Sequence, residues 1–276
     1  MALGPSRRFG RRAFVVLLAL GACAPPEPPL VLATTTSVGN SGLLDQLLPA
    51  YSEIVRPVLV GSGRALEMLA AGAGDVVISL APEREAAMLK AHPGWWYRKI
   101  LYNDFLIVGP SEDPAGVRAA PGAVESMRRI AMSGVTFLSR GDESGTHERE
   151  RALWSEAGAR PPQASVVVAG AGMGQTLRIA GSTGAYTLTD RATFEALKGS
   201  VSLDVLHEGD PRLLNAYAVI VEPANRRGAE FARWLAEGAG QRLLRQIVET
   251  GRVRGFTLWP DGIDRRQPGT KPRVIP

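Results

Sequence analysis

The sequence has few of the residues that build covalent cross-links, metal centres or membrane spans. Its 276 residues include one cysteine and three histidines. A single cysteine excludes an internal disulfide and a CxxC metal site, and three dispersed histidines argue against a histidine-based metal centre. No apolar run reaches the roughly 20 residues that a spanning helix needs. No fixed repeat period is present either, which excludes coiled-coil and solenoid architectures.

Positive charge is concentrated at the N-terminus. The formal net charge of +5 would by itself suggest a polyanionic partner. The first 22 residues contain no acidic residue and four basic ones, Arg7, Arg8, Arg11 and Arg12. Without that segment the charge falls to +1. The sequence therefore predicts no binding to nucleic acid.

The same segment has the layout of an export signal. Its arginines precede a short apolar core, Ala13 to Leu20. The next residues, Leu20-Gly21-Ala22-Cys23, resemble a bacterial lipobox, in which the cysteine is lipidated and becomes the mature N-terminus. We therefore expect a signal peptide over residues 1–22, a lipid on Cys23, and a proline-rich tether over residues 23–29.

Two alternatives stay open for this segment. It could be an ordinary secretory signal with an incidental cysteine. The pair Arg11-Arg12, followed by Ala13-Phe14-Val15, also resembles a twin-arginine export motif, although paired arginines are common in basic leaders.

From Leu30 onward, short apolar runs typical of strands alternate with helical periodicity. Val31–Ala33, Val58–Val60 and Asp75–Ser79 read as strands, and the leucines from Leu43 onward continue a helical pattern to Ile54. This alternation predicts an α/β fold with a mostly parallel sheet.

Two longer extended runs, residues 101–108 and 215–221, bracket a second α/β block. They indicate two lobes joined by hinge strands. We expect lobe 1 over residues 30–106 and 215–259, lobe 2 over residues 107–214, and a flexible tail over residues 260–276. Ligands of such folds bind beyond the carboxyl ends of the strands, which here means the cleft between the lobes.

Three strand-to-helix turns are rich in hydroxyl residues and glycine: residues 34–42, 61–63 and 139–146. Helix N-termini present unpaired N–H groups, hydroxyls add donors, and glycine lets an anion approach the backbone. Ordinary helix capping explains any one such turn. Three in one chain, one of them with Arg140, favour a site for a small tetrahedral oxyanion.

Catalytic motifs are incomplete in this sequence. The segment from His147 to Arg151 lacks the second histidine of HExxH, and no GxSxG elbow occurs. The glycine run that begins at Gly170 stops short of GxGxxG and reads as a turn into a helix that could add N–H donors. We therefore predict a binding protein, with no catalytic residue, cofactor or metal. An exported enzyme that uses the same anion cradle is the alternative, although it would need a positioned base or metal.

Several motifs occur together and in order: Leu32-Ala33-Thr34-Thr35-Thr36-Ser37, Tyr102-Asn103-Asp104-Phe105, Ser139-Arg140-Gly141-Asp142 with Ser144-Gly145-Thr146-His147, Gly172-Met173-Gly174, and residues 185–191. Over about residues 30–194 the chain resembles the TupA-type tungstate-binding proteins of bacterial ABC importers. The resemblance implies a type II periplasmic binding-protein fold. It also implies that tungstate is captured between the lobes and delivered to a membrane permease with an ATPase partner.

The resemblance also implies roles for individual residues. It places eight on the anion: Thr35, Thr36, Ser37, Ser62, Arg140, Ser144, Gly145 and Thr146. Arg140 would be the cationic ligand, and Asp142 would orient it. The protein would be an exported, lipid-anchored monomer.

The choice of ligand and of biological role stays partly open at this stage. Molybdate matches tungstate closely in size and charge, phosphate and sulfate are further rivals, and an anion sensor is an alternative to a transporter. Three features depart from the family pattern: Leu80 where histidine is frequent, Arg64 where an uncharged residue is usual, and the absence of aromatics in residues 166–169.

Overall fold

The computed structural model describes Met1 and residues 27–272. Apart from Met1, the expected signal peptide lies outside these residues, as do Cys23 and the first part of the tether. Within the described residues, every helix is too short or too polar to cross a bilayer.

Strands and helices alternate along the described chain. The strands are β1 (Leu30–Thr34), β2 (Val55–Leu59), β3 (Val76–Ser79), β4 (Trp96–Gly109), β5 (Phe137–Ser139), β6 (Val166–Val168), β7 (Thr187–Asp190), β8 (Asp204–His207), β9 (Leu214–Val221) and β10 (Thr257–Leu258). The helices are α1 (Thr36–Asn40), α2 (Leu43–Leu47), α3 (Ser62–Ala70), α4 (Pro82–Ala91), α5 (Ala123–Ser133), α6 (Gly145–Ala157), α7 (Met173–Thr183), α8 (Arg191–Leu197), α9 (Arg226–Glu237) and α10 (Ala239–Glu249).

The sheet of the first lobe has the strand order β10-β4-β9-β3-β1-β2. Strand β1 is parallel to β2, with Leu30 opposite Val55, and parallel to β3, with Leu32 opposite Val76. The carboxyl ends of these three strands therefore lie at one edge of the sheet. As a result, the turns that begin after Thr34, Leu59 and Ser79 are neighbours, although they are far apart in the sequence.

Strand β4 belongs to both lobes. It pairs with β9 as far as Asp104, then with β7 from Phe105 and with β8 from Ile107. The parallel pair β5–β6 joins this second sheet through a bridge between Phe137 and Tyr186. The change of partner occurs between Asp104 and Phe105.

Both lobes have an apolar core beneath amphipathic helices. In the second lobe, Met173, Leu177 and Ala180 lie on one face of α7, as expected from a helical period, and pack on Leu106 and Val108 of β4. In the first lobe, Phe231, Leu235, Leu244 and Ile247 of α9 and α10 are fully buried. These cores fix the sheets that carry the turns.

The first helical pattern and the second strand differ from the sequence prediction. The predicted pattern to Ile54 breaks after Leu47, because Pro49 lies in a 3₁₀ turn over Leu48–Ala50, and Ile54 is 76% exposed. The second strand is Val55–Leu59 rather than Val58–Val60, because it pairs in register with the whole of β1.

The tail also differs from the flexible segment that the sequence predicts, at least in its described part, residues 260–272. The amide of Lys99 in β4 donates to Arg265 O at 2.8 Å. The ammonium group of Lys99 donates to Pro268 O at 2.8 Å and also to Thr270 O. Lys99 is 1% exposed. A buried ammonium group needs acceptors, and the carbonyl groups of the tail supply them.

Candidate functional site

The hydroxyl-rich turns of the two lobes meet where the lobes touch. A Cβ atom added at Gly61, which precedes α3, would lie 3.4 Å from Asp142 O and 3.6 Å from Ser144 Cα, at the start of α6. A Cβ atom at Gly145 would lie 2.5 Å from Leu80 O, too close for any side chain. Glycine at position 145 therefore lets the N-terminus of α6 rest directly on the first lobe.

A fourth turn joins this contact. Gly172 caps α7 without any side-chain hydrogen bond. A Cβ atom at Gly172 would lie 3.2 Å from Thr36 Cβ in the first lobe. The N-termini of α3, α6 and α7 thus surround one region between the lobes, and each contributes partial positive charge. Because Gly172 has no side chain to cap α7, the first N–H groups of this helix stay available to a ligand, and the glycine is the feature of the sequence that marks this turn.

The predicted hydroxyl ligands are buried in the same region, except for Thr36, which is half-buried. Thr35 Oγ1 accepts from Val38 N, and Ser144 Oγ accepts from His147 N, both at 3.3 Å, so both residues do cap helices. Ser62 Oγ accepts from Leu80 N at 3.3 Å. In each case the hydroxyl oxygen accepts, which leaves its hydrogen available for a ligand.

Arg140 lies at the end of β5 with its side chain 2% exposed. Its Nε donates to Ala171 O at 3.0 Å, and its Nη2 is paired with Asp142. Within residues 27–272 its buried Nη1 has no hydrogen-bond partner. An unsatisfied buried donor on a charged group costs free energy. A charged donor is therefore present that an anion would satisfy.

Asp142 holds the guanidinium group of Arg140 from one side. Its Oδ1 accepts from Ser144 N at 3.2 Å, and its Oδ2 contacts Arg140. Burial raises the pKa of Asp142, but the charge of Arg140 and hydrogen bonds from Ser144 and Arg140 outweigh it, so the pKa lies below its usual value. An ionised Asp142 in this position fits a residue that positions Arg140.

Arg64 does not reach this region. Its side chain is 68% exposed and pairs with Glu67 at 3.1 Å on the surface of α3. Arg84 of α4 crosses between the lobes instead, where it contacts Glu148 and lies 3.4 Å from Glu143. No short-range sequence pattern predicts that Arg84 contacts Glu143 and Glu148, because the arginine and the two glutamates lie in different lobes.

Comparisons with known proteins place the chain in a family. A family model described as a PBP superfamily domain matches residues 22–238. The chain is 36% identical to the tungstate-binding protein TupA of Peptoclostridium acidaminophilum, over 83% of this chain and 89% of that protein. The chain belongs to the TupA family of the PBP superfamily.

Solved structures agree with that membership. One is described as the tungstate ABC transporter from Geobacter sulfurreducens; it is 37% identical, covers 79% of this chain and 98% of its own, and has a TM-score of 0.69. The tungstate-binding protein TupA from Desulfovibrio alaskensis G20 is 36% identical over 85% of this chain and 100% of its own, with a TM-score of 0.67. The predicted two-lobed type II binding-protein fold is confirmed. These relatives are binding and transport proteins rather than enzymes, in line with the sequence prediction.

The part of the chain that the structure describes contains no cluster of three or more His, Cys, Asp or Glu side chains arranged to hold a metal ion. Arg140 and the surrounding N–H and hydroxyl groups are donors, which suit an oxyanion rather than a bare cation. The assignment of individual ligand residues in this TupA-family chain stays a prediction.

Two residues of the family motifs, Asp104 and Arg191, form an ion pair where β4 passes between the lobes. Asp104, where β4 changes partners, is fully buried and accepts from Arg191 Nε at 2.5 Å and from Arg191 Nη2 at 2.8 Å. Arg191 opens α8 directly after β7, and it also pairs with Glu208 at 2.5 Å. The sequence showed both residues within motifs but did not indicate that they pair.

We expect Arg191→Ala to lower the free energy of unfolding by about 3–5 kcal/mol, because it leaves the buried carboxylate of Asp104 without its charged partner. Arg118→Ala is the matched control: it removes the exposed ion pair with Asp204, whose side chains are 45% and 50% exposed, and should cost about 0–1 kcal/mol. Urea denaturation followed by circular dichroism measures both. Equal losses in the two variants would contradict the role assigned to the hinge pair.

Proposed function

We propose that this protein binds tungstate between its lobes and delivers it to an ABC permease and its ATPase subunit. The proposal is carried by the Nη1 atom of Arg140, a buried charged donor near three helix N-termini that has no hydrogen-bond partner in the described part of the chain. Membership of the TupA family supports the choice of ligand.

The donors around Arg140 suit a dianion that has left water. Arg140 supplies one positive charge, part of which is offset by Asp142. The remaining stabilisation comes from neutral groups: backbone N–H groups at the helix N-termini and the hydroxyls of Thr35, Thr36, Ser37, Ser62, Ser144 and Thr146, with the amide of Gly145 among them. Oriented dipoles of this kind stabilise anions at helix N-termini.

A panel of oxyanions tests the choice of ligand. We expect the mature protein to bind tungstate with one anion per chain and to ignore sulfate at the same concentration, because a larger oxyanion contacts more of the converging donors at once. Molybdate should bind as well, since its size and charge nearly match those of tungstate. Isothermal titration calorimetry with tungstate, molybdate, phosphate and sulfate provides the measurement. Equal affinity for sulfate and tungstate would show that the ligand is wrongly assigned.

Substitution of Arg140 tests the site itself. Hydrogen bonds to charged groups contribute about 1.5–3 kcal/mol, so Arg140→Ala should weaken tungstate binding by about tenfold to a few hundredfold. Arg140→Lys should restore part of the affinity, because a point charge lacks the planar fork of a guanidinium group. Thr146→Val should cost less than Arg140→Ala, because it removes one hydroxyl at nearly constant volume.

Arg64→Ala is the matched control for that series, because Arg64 pairs with Glu67 on the surface. Its affinity for tungstate should equal that of the unmodified protein. Full affinity in Arg140→Ala together with a loss in Arg64→Ala would reverse the assignment of the cationic ligand.

The protein is exported on this proposal, as its family membership and N-terminal leader support, and it acts as a monomer anchored by a lipid on Cys23. Among the described residues β1 begins at Leu30, so Cys23 and the proline-rich tether precede every strand and helix that the structure describes. The tether would let the lobes reach a permease while the lipid keeps them at the membrane.

Cys23→Ala tests the anchor. Each buried CH₂ of an acyl chain contributes about 0.8 kcal/mol to membrane binding, so loss of the lipid should release the protein from the membrane fraction. Tungstate affinity of the released protein should be unchanged, because Cys23 precedes every strand and helix found in the described residues. Cell fractionation with immunodetection is the measurement, and a variant that stays in the membrane fraction would rule out lipid anchoring at this cysteine.

A further inference from the structure

A buried carboxyl group contacts the backbone of the cationic residue of the site. Glu150 of α6 is 5% exposed, and its Oε2 accepts from the backbone N–H of Arg140 at 3.4 Å. This hydrogen bond joins Glu150 to the backbone of Arg140 and not to one of the predicted hydroxyl ligands. Its position nevertheless places a second acidic group, besides Asp142, next to the residue that would receive a dianion.

The charges around Arg140 determine how an ionised Glu150 would affect anion binding. The positive charge of Arg140 is already paired with Asp142. A bound dianion therefore adds negative charge to a region whose cation has a partner, and an ionised Glu150 would increase the repulsion. In a low-dielectric interior such repulsion is weakly screened.

The pKa of Glu150 lies where repulsion by a bound anion can change its protonation state. Burial raises the pKa of Glu150 to about 7, although hydrogen bonds from Ser139, the Arg140 amide and Trp154, together with the charge of Arg140, act to lower it. The carboxyl group is therefore divided between its neutral and ionised forms near neutral pH.

We propose that binding of the oxyanion at Arg140 is coupled to uptake of a proton by the buried carboxyl group of Glu150. This inference rests on the proposed anion site. A bound anion disfavours the ionised carboxylate and offsets the charge of Arg140, so it raises the pKa of Glu150 further. Affinity is then highest below pH 7, where Glu150 is already neutral, and falls as the pH rises through that range.

Helix α6, which carries Glu150, packs against α5 and β7, and both elements contain charged groups with partners of their own. Arg128 of α5 is held by Glu125 and by Ala157 O, and Asp190 at the end of β7 is held by Thr193. On the turn after β5, Asp142 is paired with Arg140. On α6 itself, burial lowers the pKa of His147, so this group loses its proton at a lower pH than Glu150.

The first lobe contains a matched control, Glu85 of α4. It is 1% exposed, accepts from Ala81 N at 3.0 Å and from the hydroxyl of Tyr97 at 2.9 Å, and burial raises its pKa to about 7. The nearby charge that acts on it is Lys99 rather than Arg140. Glu85 thus resembles Glu150 in burial and pKa, but its hydrogen bonds come from Ala81 and Tyr97 rather than from Arg140.

Calorimetric titration with sodium tungstate at pH 6.5, 7.5 and 8.5, each in two buffers of different ionisation enthalpy, tests the coupling. For the unmodified protein we expect the Kd to rise about threefold to tenfold across this range, with net proton uptake on binding. Glu150→Gln, which mimics the neutral carboxyl group, should show a nearly constant Kd close to the value of the unmodified protein at pH 6.5. Glu85→Gln should keep the full pH dependence and the full proton uptake.

Distinct results would overturn the two proposals. If the unmodified protein binds no tungstate at any of these pH values, the proposed function fails. If it binds tungstate with the same Kd throughout and takes up no proton, the coupling fails while the function stands. The coupling also fails if Glu150→Gln keeps the pH dependence or if Glu85→Gln abolishes it. Should Glu150→Gln not fold, proton uptake by Glu85→Gln at pH 7.5 decides the question: uptake supports the coupling and its absence refutes it.

Discussion

A buried positive charge needs partners, and the guanidinium group of Arg140 illustrates how the rest of the site follows from that need. Asp142 and the carbonyl group of Ala171 satisfy two of its nitrogens, while Nη1 has no partner among the described residues. The aspartate is fixed in turn by the backbone at Ser144, which also caps α6. One charge thereby links the end of a strand, a turn and the start of a helix, and its remaining donor is available to a ligand.

The two-lobed architecture brings opposing turns to this charge. Because β4 runs through both sheets, the lobes share a continuous strand, and the buried pair of Asp104 and Arg191 lies where the strand changes partners. At the contact itself, Gly145 is needed because a side chain there would clash with Leu80, and Gly172 packs closely on Thr36. Arg84 adds an ion pair across the same contact. These features make the site a property of the closed pair of lobes rather than of either lobe.

Much of the site could be predicted from the sequence because its chemistry is local. Hydroxyl residues that precede a helix cap it, as Thr35 and Ser144 do, and an arginine that ends a strand lies at the edge where α/β folds bind ligands. The glycine run that begins at Gly170 likewise predicted the turn into α7. The prediction of a helix to Ile54 was wrong, because apolar periodicity takes no account of the missing N–H group of Pro49.

The sequence by itself determined the α/β alternation, the hydroxyl-rich turns and the presence of Arg140 at the end of a strand, since each depends on neighbours within a few residues. Only the tertiary structure decided which turns meet. It places Arg64 on the surface and brings Gly172 against Thr36. It also pairs Asp104 with Arg191, bonds Glu150 to the backbone of Arg140, and docks the tail on Lys99. These contacts join segments distant in the chain, so they depend on strand register and on how the chain crosses between sheets, which no local pattern specifies.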